Sequence, residues 1–118
     1  MNFSKEICIG PARSIEEEGS TLVFDFGSGG LERGFAIRIG GRIYAYRNWC
    51  PHTGLELDWV EGEFFDQSGQ YVICSNHGAL FEPVSGKCIY GPCVGQALKP
   101  LNIRIMGDGV WVTTYPRN

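Results

Sequence analysis

The chain has 118 residues, near the usual size of one domain and long enough to bury a core without disulfides. A net charge of −3 and a pI near 5.3 argue against nucleic acid as a partner, because phosphate binding needs a basic patch. The first twenty residues lack an apolar run of seven or more, and nowhere do about eighteen apolar residues follow one another, so neither a signal peptide nor a membrane span is expected and the chain is placed in the cytoplasm.

Seventeen glycines, frequent aromatics and no sustained helical periodicity predict an all-β fold of short strands and tight turns. Residues 6–9 are a short apolar start closed by Gly10-Pro11 and read as an edge strand. Ser14-Ile15-Glu16-Glu17 has the form of a helix capping box, but Gly19 arrives before a second turn is complete, so one helical turn at most is expected. Residues 21–26 are strand-like, and Gly27-Ser28-Gly29-Gly30 marks a flexible connection. Phe35, Ile37 and Ile39 then alternate with Ala36 and Arg38, and after Gly40-Gly41 the pattern resumes over residues 42–47. Two glycines between such runs predict a tight hairpin, since the favoured two-residue turns need positive φ. The hairpin would deliver Cys50 to a loop at its far end.

Tyr71-Val72-Ile73 is a strand running into Cys74, and Ala79-Leu80-Phe81 leaves again after His77-Gly78. A turn over residues 82–86 leads to a strand over residues 87–90. Gly78 either lets the backbone approach a bound group closely or serves as a plain turn glycine. Gly91-Pro92-Cys93 is a further rigid loop. Leu101, Ile103 and Ile105, alternating with Asn102 and Arg104, then Gly107-Asp108-Gly109 and Val110-Trp111-Val112, form a closing hairpin.

The chemistry is concentrated between Cys50 and His77. Cys50-Pro51-His52 is followed, after 21 residues, by Cys74-Ser75-Asn76-His77, and these hold the only two histidines of the chain. Two thiolates and two imidazoles make a complete four-ligand metal site. Such a set suits either a tetrahedral zinc ion or a two-iron cluster in which thiolates hold one iron and imidazoles the other. The spacing favours the cluster: zinc sites usually open with two cysteines two to four residues apart, whereas here each arm is a mixed Cys/His pair. Of the five cysteines, Cys8, Cys88 and Cys93 are left over, an odd number that suits reduced thiols better than a disulfide framework.

The pair Cys-x-His and Cys-x-x-His-Gly, with the Gly-x-x-x-x-Gly-Pro segment from Gly86 to Pro92 and the flanking hairpins, resembles the whole length of a Rieske-type [2Fe-2S] ferredoxin. The resemblance implies a single domain over residues 1–118 in the Rieske iron-sulfur fold: small antiparallel sheets as a sandwich-like or barrel-like base, with a cluster-binding subdomain at about residues 48–93. By the same resemblance Cys50 and Cys74 bind the inner iron, His52 and His77 the outer iron near solvent, and Gly91-Pro92 is the proline loop over the cluster. The 21-residue spacer, longer than in typical Rieske ferredoxins, departs from the pattern around the stretch from Glu61 to Gln70.

Subclass follows from residues that are missing. Respiratory-complex members carry an extra cysteine in each ligand loop, forming a bracing disulfide, and a membrane anchor; here Leu55 and Asn76 stand at those positions. They also place hydroxyls where this chain has Ala79 and Phe81. Donors aimed at cluster sulfurs favour the reduced state, so their absence implies a potential toward the roughly −150 mV end of the Rieske range. The chain therefore resembles soluble oxygenase ferredoxins or the small subunits of assimilatory nitrite reductases. The implied function is that of a one-electron carrier, not an enzyme, between a flavin-containing reductase and a terminal oxygenase or reductase. A non-redox zinc module is the alternative.

Weaker features complete the reading. Glu56, Asp58, Glu61, Glu63 and Asp66 lie between the two arms with no Lys or Arg among them, either steering a basic redox partner or forming a solvated loop. Trp49 and Trp59 flank the first arm as water shields or ordinary packing. Cys93 reads as a small buried hydrophobe or a redox-sensing thiol.

Overall fold

The computed structural model describes residues 5–16, 21–26, 32–58 and 60–114, and is all-β apart from a single 3-10 turn at Ala12–Ser14. The predicted connection Gly27–Gly30 and the side chain of Trp59 lie outside the described residues. Among the described residues nine strands form three antiparallel sheets of three. The first joins β1 (Lys5–Pro11) to β9 (Gly109–Thr114) and β9 to β8 (Ile103–Met106). The second is a meander of β2 (Thr21–Phe26), β3 (Glu32–Ile39) and β4 (Arg42–Arg47). The third is formed by β5 (Val72–Ile73), β6 (Leu80–Phe81) and β7 (Cys88–Tyr90). No helix among the described residues is long and apolar enough to cross a membrane.

The predicted edge strand is found at the edge, paired with β9 alone, and carries a bulge between Cys8 and Gly10. The turn expected from Ser14 to Glu17 runs past the described residues, which stop there at Glu16. The 3-10 turn ends at Ser14, whose hydroxyl reaches back to the Pro11 carbonyl at 2.7 Å, and the Arg38 guanidinium donates to the carbonyls of Ala12 and Ile15 at 2.8 and 2.6 Å. The β3–β4 hairpin turns at Gly40 and Gly41, with φ of 60° and 81°, as the paired glycines required.

The middle sheet separates two apolar cores because successive side chains of a strand point to opposite faces. Phe35, Ile37 and Tyr46 pack on the side that holds Cys50, Cys74, Ala79 and Phe81. Ala36 and Ala45, partners across the ladder, face Phe24, Phe26, Val110 and Val112 in the second core. The long spacer contributes to the first core: Phe64 is fully buried and stacks on Phe35 at a centroid distance of 4.0 Å and 16°. Phe65 pairs with Val72, and the Ile73 amide donates to the Phe64 carbonyl at 2.9 Å, so the spacer adds an arm to the third sheet.

Candidate metal centre

The loops carrying the two Cys/His motifs are built alike. The Cys50 amide donates to the Leu55 carbonyl at 2.8 Å and the Gly54 amide donates back to the Cys50 carbonyl at 2.8 Å. In the second loop the Cys74 amide donates to Ala79 and the Gly78 amide to Cys74, both at 2.9 Å. Glu82, Gly86 and Lys87 repeat the pattern at 2.8 and 2.7 Å. In each loop the fifth residue is a glycine with positive φ: 73° at Gly54, 70° at Gly78 and 76° at Gly86. Gly78 takes its positive φ in this turn, and a side-chain carbon there would meet no protein atom within 4 Å.

The third loop shows what such a turn offers its first residue. The Glu82 carboxylate accepts the amides of Val84 and Ser85 at 2.9 and 3.0 Å and the Ser85 hydroxyl at 3.1 Å, which holds its pKa down, the Ser85 amide contributing most. The loop is a cradle for an anion. Cysteines occupy that position in the other two. Burial opposes ionisation of the Cys50 thiol, but the amides of Thr53 and His52, the Cys74 thiol and the Thr53 hydroxyl together bring its pKa below the ordinary value. Burial raises Cys74, against the side-chain and backbone amides of Asn76.

The four residues singled out from the sequence come together and divide by depth. Cys50 and Cys74 are 1 % and 0 % exposed, whereas His52 and His77 are exposed, with ring centroids 5.0 Å apart at 81°. Among the described residues no three His, Cys, Asp or Glu side chains close on one point as a single ion requires. The donors form a buried sulfur pair and an outer imidazole pair.

Sequence reasoning missed the side chains that brace these loops. Asn76, marked only as a missing cysteine, donates its side-chain amide to the Cys74 sulfur at 3.4 Å and to the Glu56 carbonyl at 3.0 Å. With the Ser75 amide on the Leu57 carbonyl at 2.9 Å, it ties the two loops together without a disulfide. Asn48, a buried polar residue, accepts the Leu57 amide and donates to Asp58, both at 2.7 Å. The acidic spacer is mostly internally engaged: Arg33 pairs with Glu61 at 2.5 Å and Glu56 at 3.7 Å, and Asp58 accepts the Gly62 amide at 3.0 Å. Trp49 is half-buried, with Arg47 and Lys99 over its ring at 5.7 and 5.1 Å.

A family profile described as the Rieske [2Fe-2S] domain matches residues 5–116. No curated protein sequence matches. Among solved structures the chain is similar to the ferredoxin of carbazole 1,9a-dioxygenase from Nocardioides aromaticivorans IC177, at 22% identity and a TM-score of 0.69 over 95% of this chain and 98% of that one. It is similar also to a chain of the complex of reduced oxygenase and oxidized ferredoxin in carbazole 1,9a-dioxygenase, at 22% identity and a TM-score of 0.71 over 91% of each chain. The terminal oxygenase of carbazole 1,9a-dioxygenase from Novosphingobium sp. KA1 matches at 19% identity and a TM-score of 0.72, over 96% of this chain and 30% of that one. At these identities the likeness is one of fold.

Proposed function

The chain belongs to the Rieske [2Fe-2S] domain family, and from that membership we propose that it is an electron carrier whose cluster is held by Cys50, His52, Cys74 and His77. The observation that carries the assignment is the pair of matched loops, each a cradle for an anion with a buried cysteine at its head and an exposed histidine two or three residues on. The donor set fits the group. A single zinc draws four donors to one point at about 2.0–2.3 Å, whereas two separated pairs suit a group with two metal centres. When bound, the cluster supplies one-electron redox chemistry.

The chain's own residues do the rest. Amides of His52, Thr53 and Asn76 favour the anionic sulfurs of Cys50 and Cys74, which would hold the group from the protein side. His52 and His77 would hold it from the solvent side, so the edge nearest a partner is imidazole. Leu55 on the first loop and Tyr90 and Val94 on either side of the loop over residues 91–93 are 55%, 65% and 62% exposed, an apolar rim suited to brief docking. The partners are a flavin-containing reductase as donor and a terminal oxygenase or reductase as acceptor, and the protein itself turns over no organic substrate. The test is to incubate holoprotein with a nicotinamide-dependent flavin reductase and follow its visible absorption. Bleaching that needs the reductase, and recovery on adding a terminal oxygenase, support the proposal; substrate turnover by the isolated protein contradicts it.

A further inference from the structure

A second pair of thiols, unused by the electron-transfer reading, lies beside the paired loops. Cys88 at the start of β7 and Cys93 in the loop that follows are both buried, 6 % and 1 % exposed, and both free. The Cys93 thiol donates to the Cys88 sulfur at 3.0 Å, and the Cys88 thiol to the Tyr90 carbonyl at 3.3 Å. Backbone bonds help hold this juxtaposition: the Cys88 amide donates to the Gln96 carbonyl and the Gln96 amide to the Cys93 carbonyl, each at 2.9 Å. A disulfide bond is about 2.04 Å long, so the sulfurs need to close by roughly 1 Å within a short loop whose other side chains are largely exposed.

We propose that Cys88 and Cys93 form a reversible dithiol–disulfide site, oxidised by hydrogen peroxide, next to the one-electron centre. Cys88 is the more exposed of the two and reacts first. Its sulfur attacks the peroxide, the O–O bond breaks, and the products are a Cys88 sulfenic acid and one water. The Cys93 sulfur then attacks the Cys88 sulfur; the S–S bond forms, the S–O bond breaks, and the departing hydroxyl takes the Cys93 proton to leave as a second water. Two thiols and one peroxide give one disulfide and two waters, the sulfurs losing the two electrons that the peroxide gains. The site does not depend on which residues hold the cluster.

The sequence makes the test clean. Cleavage after Lys and Arg, with Lys99-Pro100 resistant, puts Cys88 and Cys93 on the fragment of residues 88–104, while Cys50 and Cys74 share residues 48–87 and Cys8 lies on residues 6–13. Holoprotein is treated with peroxide at a dose that leaves its visible spectrum intact, unfolded in iodoacetamide and digested. The expected result is that the 88–104 fragment goes from two alkyl groups to none, becomes lighter by two hydrogens, and regains both labels after dithiothreitol. A Cys93→Ser or Cys93→Ala holoprotein should instead give a dimedone adduct on Cys88. A fragment that keeps both alkyl groups after peroxide, or loses them only as the spectrum bleaches, would overturn the proposal.

Discussion

Gly91 lies against Ala79 so closely that a side-chain carbon on Gly91 would stand 2.9 Å from the Ala79 Cα and 3.2 Å from its Cβ. Gly91 also has a φ of 101°, which side-chain-bearing residues rarely adopt. The loop over residues 91–93 is thus seated directly on the second Cys/His loop. Gly91→Ala should cost about 1–3 kcal/mol of strain and lift that loop. A lowered Tm together with faster bleaching of the holoprotein in chelator is the expected pair of results.

Two substitutions should move the reduction potential in opposite directions. Ala79→Ser adds a hydroxyl at a buried position two residues after His77, and Asn76→Ala removes the amide that donates to the Cys74 sulfur. A hydrogen bond to a charged group contributes about 1.5–3 kcal/mol, and if half of that discriminates between redox states, a one-electron midpoint shifts by about 30–60 mV. Film voltammetry near neutral pH should show a rise for Ala79→Ser and a fall for Asn76→Ala, with the full cluster retained in both. An unchanged midpoint in Ala79→Ser would show that position 79 does not reach the sulfurs.

Asn48→Ala tests the brace beneath the first loop. It leaves the buried Leu57 amide without its acceptor, which costs about 1–3 kcal/mol. Equilibrium unfolding should give a lower midpoint. Asn48→Asp keeps an acceptor for Leu57 but sets a carboxylate against Asp58, so its loss of stability should shrink as the pH falls through the carboxylate range.

The alternation in β3 and β4 and the glycine pair at 40–41 make the central hairpin legible in the sequence, because pattern and turn chemistry agree. The two Cys/His motifs stood out equally in the sequence, since they held both histidines, and the fold brings their loops together. What could not be read was everything set by tertiary contact. Phe64 lies in a spacer whose acidic composition suggested solvent, and its burial depends on stacking against Phe35, far away in sequence. Asn76 and Asn48 are ordinary polar residues until a neighbouring carbonyl, sulfur or amide is placed beside them. The likeness among the loops at Cys50, Cys74 and Glu82 had a signal, the glycine four residues on in each, but the carboxylate at Glu82 disguised it.

Tyr46 gives a pH dependence independent of the metal centre. Its hydroxyl donates to the Pro83 and Val84 carbonyls at 2.8 and 2.9 Å, and burial, then Glu82, push its pKa up to about 12 from an ordinary value of 10.0. The folded state therefore holds a proton that the unfolded chain releases first. This stabilisation is fully present below about pH 10 and is lost as the pH rises through 12. Urea unfolding of Tyr46→Phe should show a shallower alkaline decline than the parent protein.

The central claim is that Cys50, His52, Cys74 and His77 hold a [2Fe-2S] cluster. Its most direct test is iron, zinc and acid-labile sulfide analysis of purified protein, with its visible spectrum, beside Cys50→Ser and Cys74→Ser. The account predicts two irons and two sulfides per chain and a coloured protein, with both lost in each variant. Stoichiometric zinc without iron or sulfide, or a cluster that survives either substitution, would contradict it.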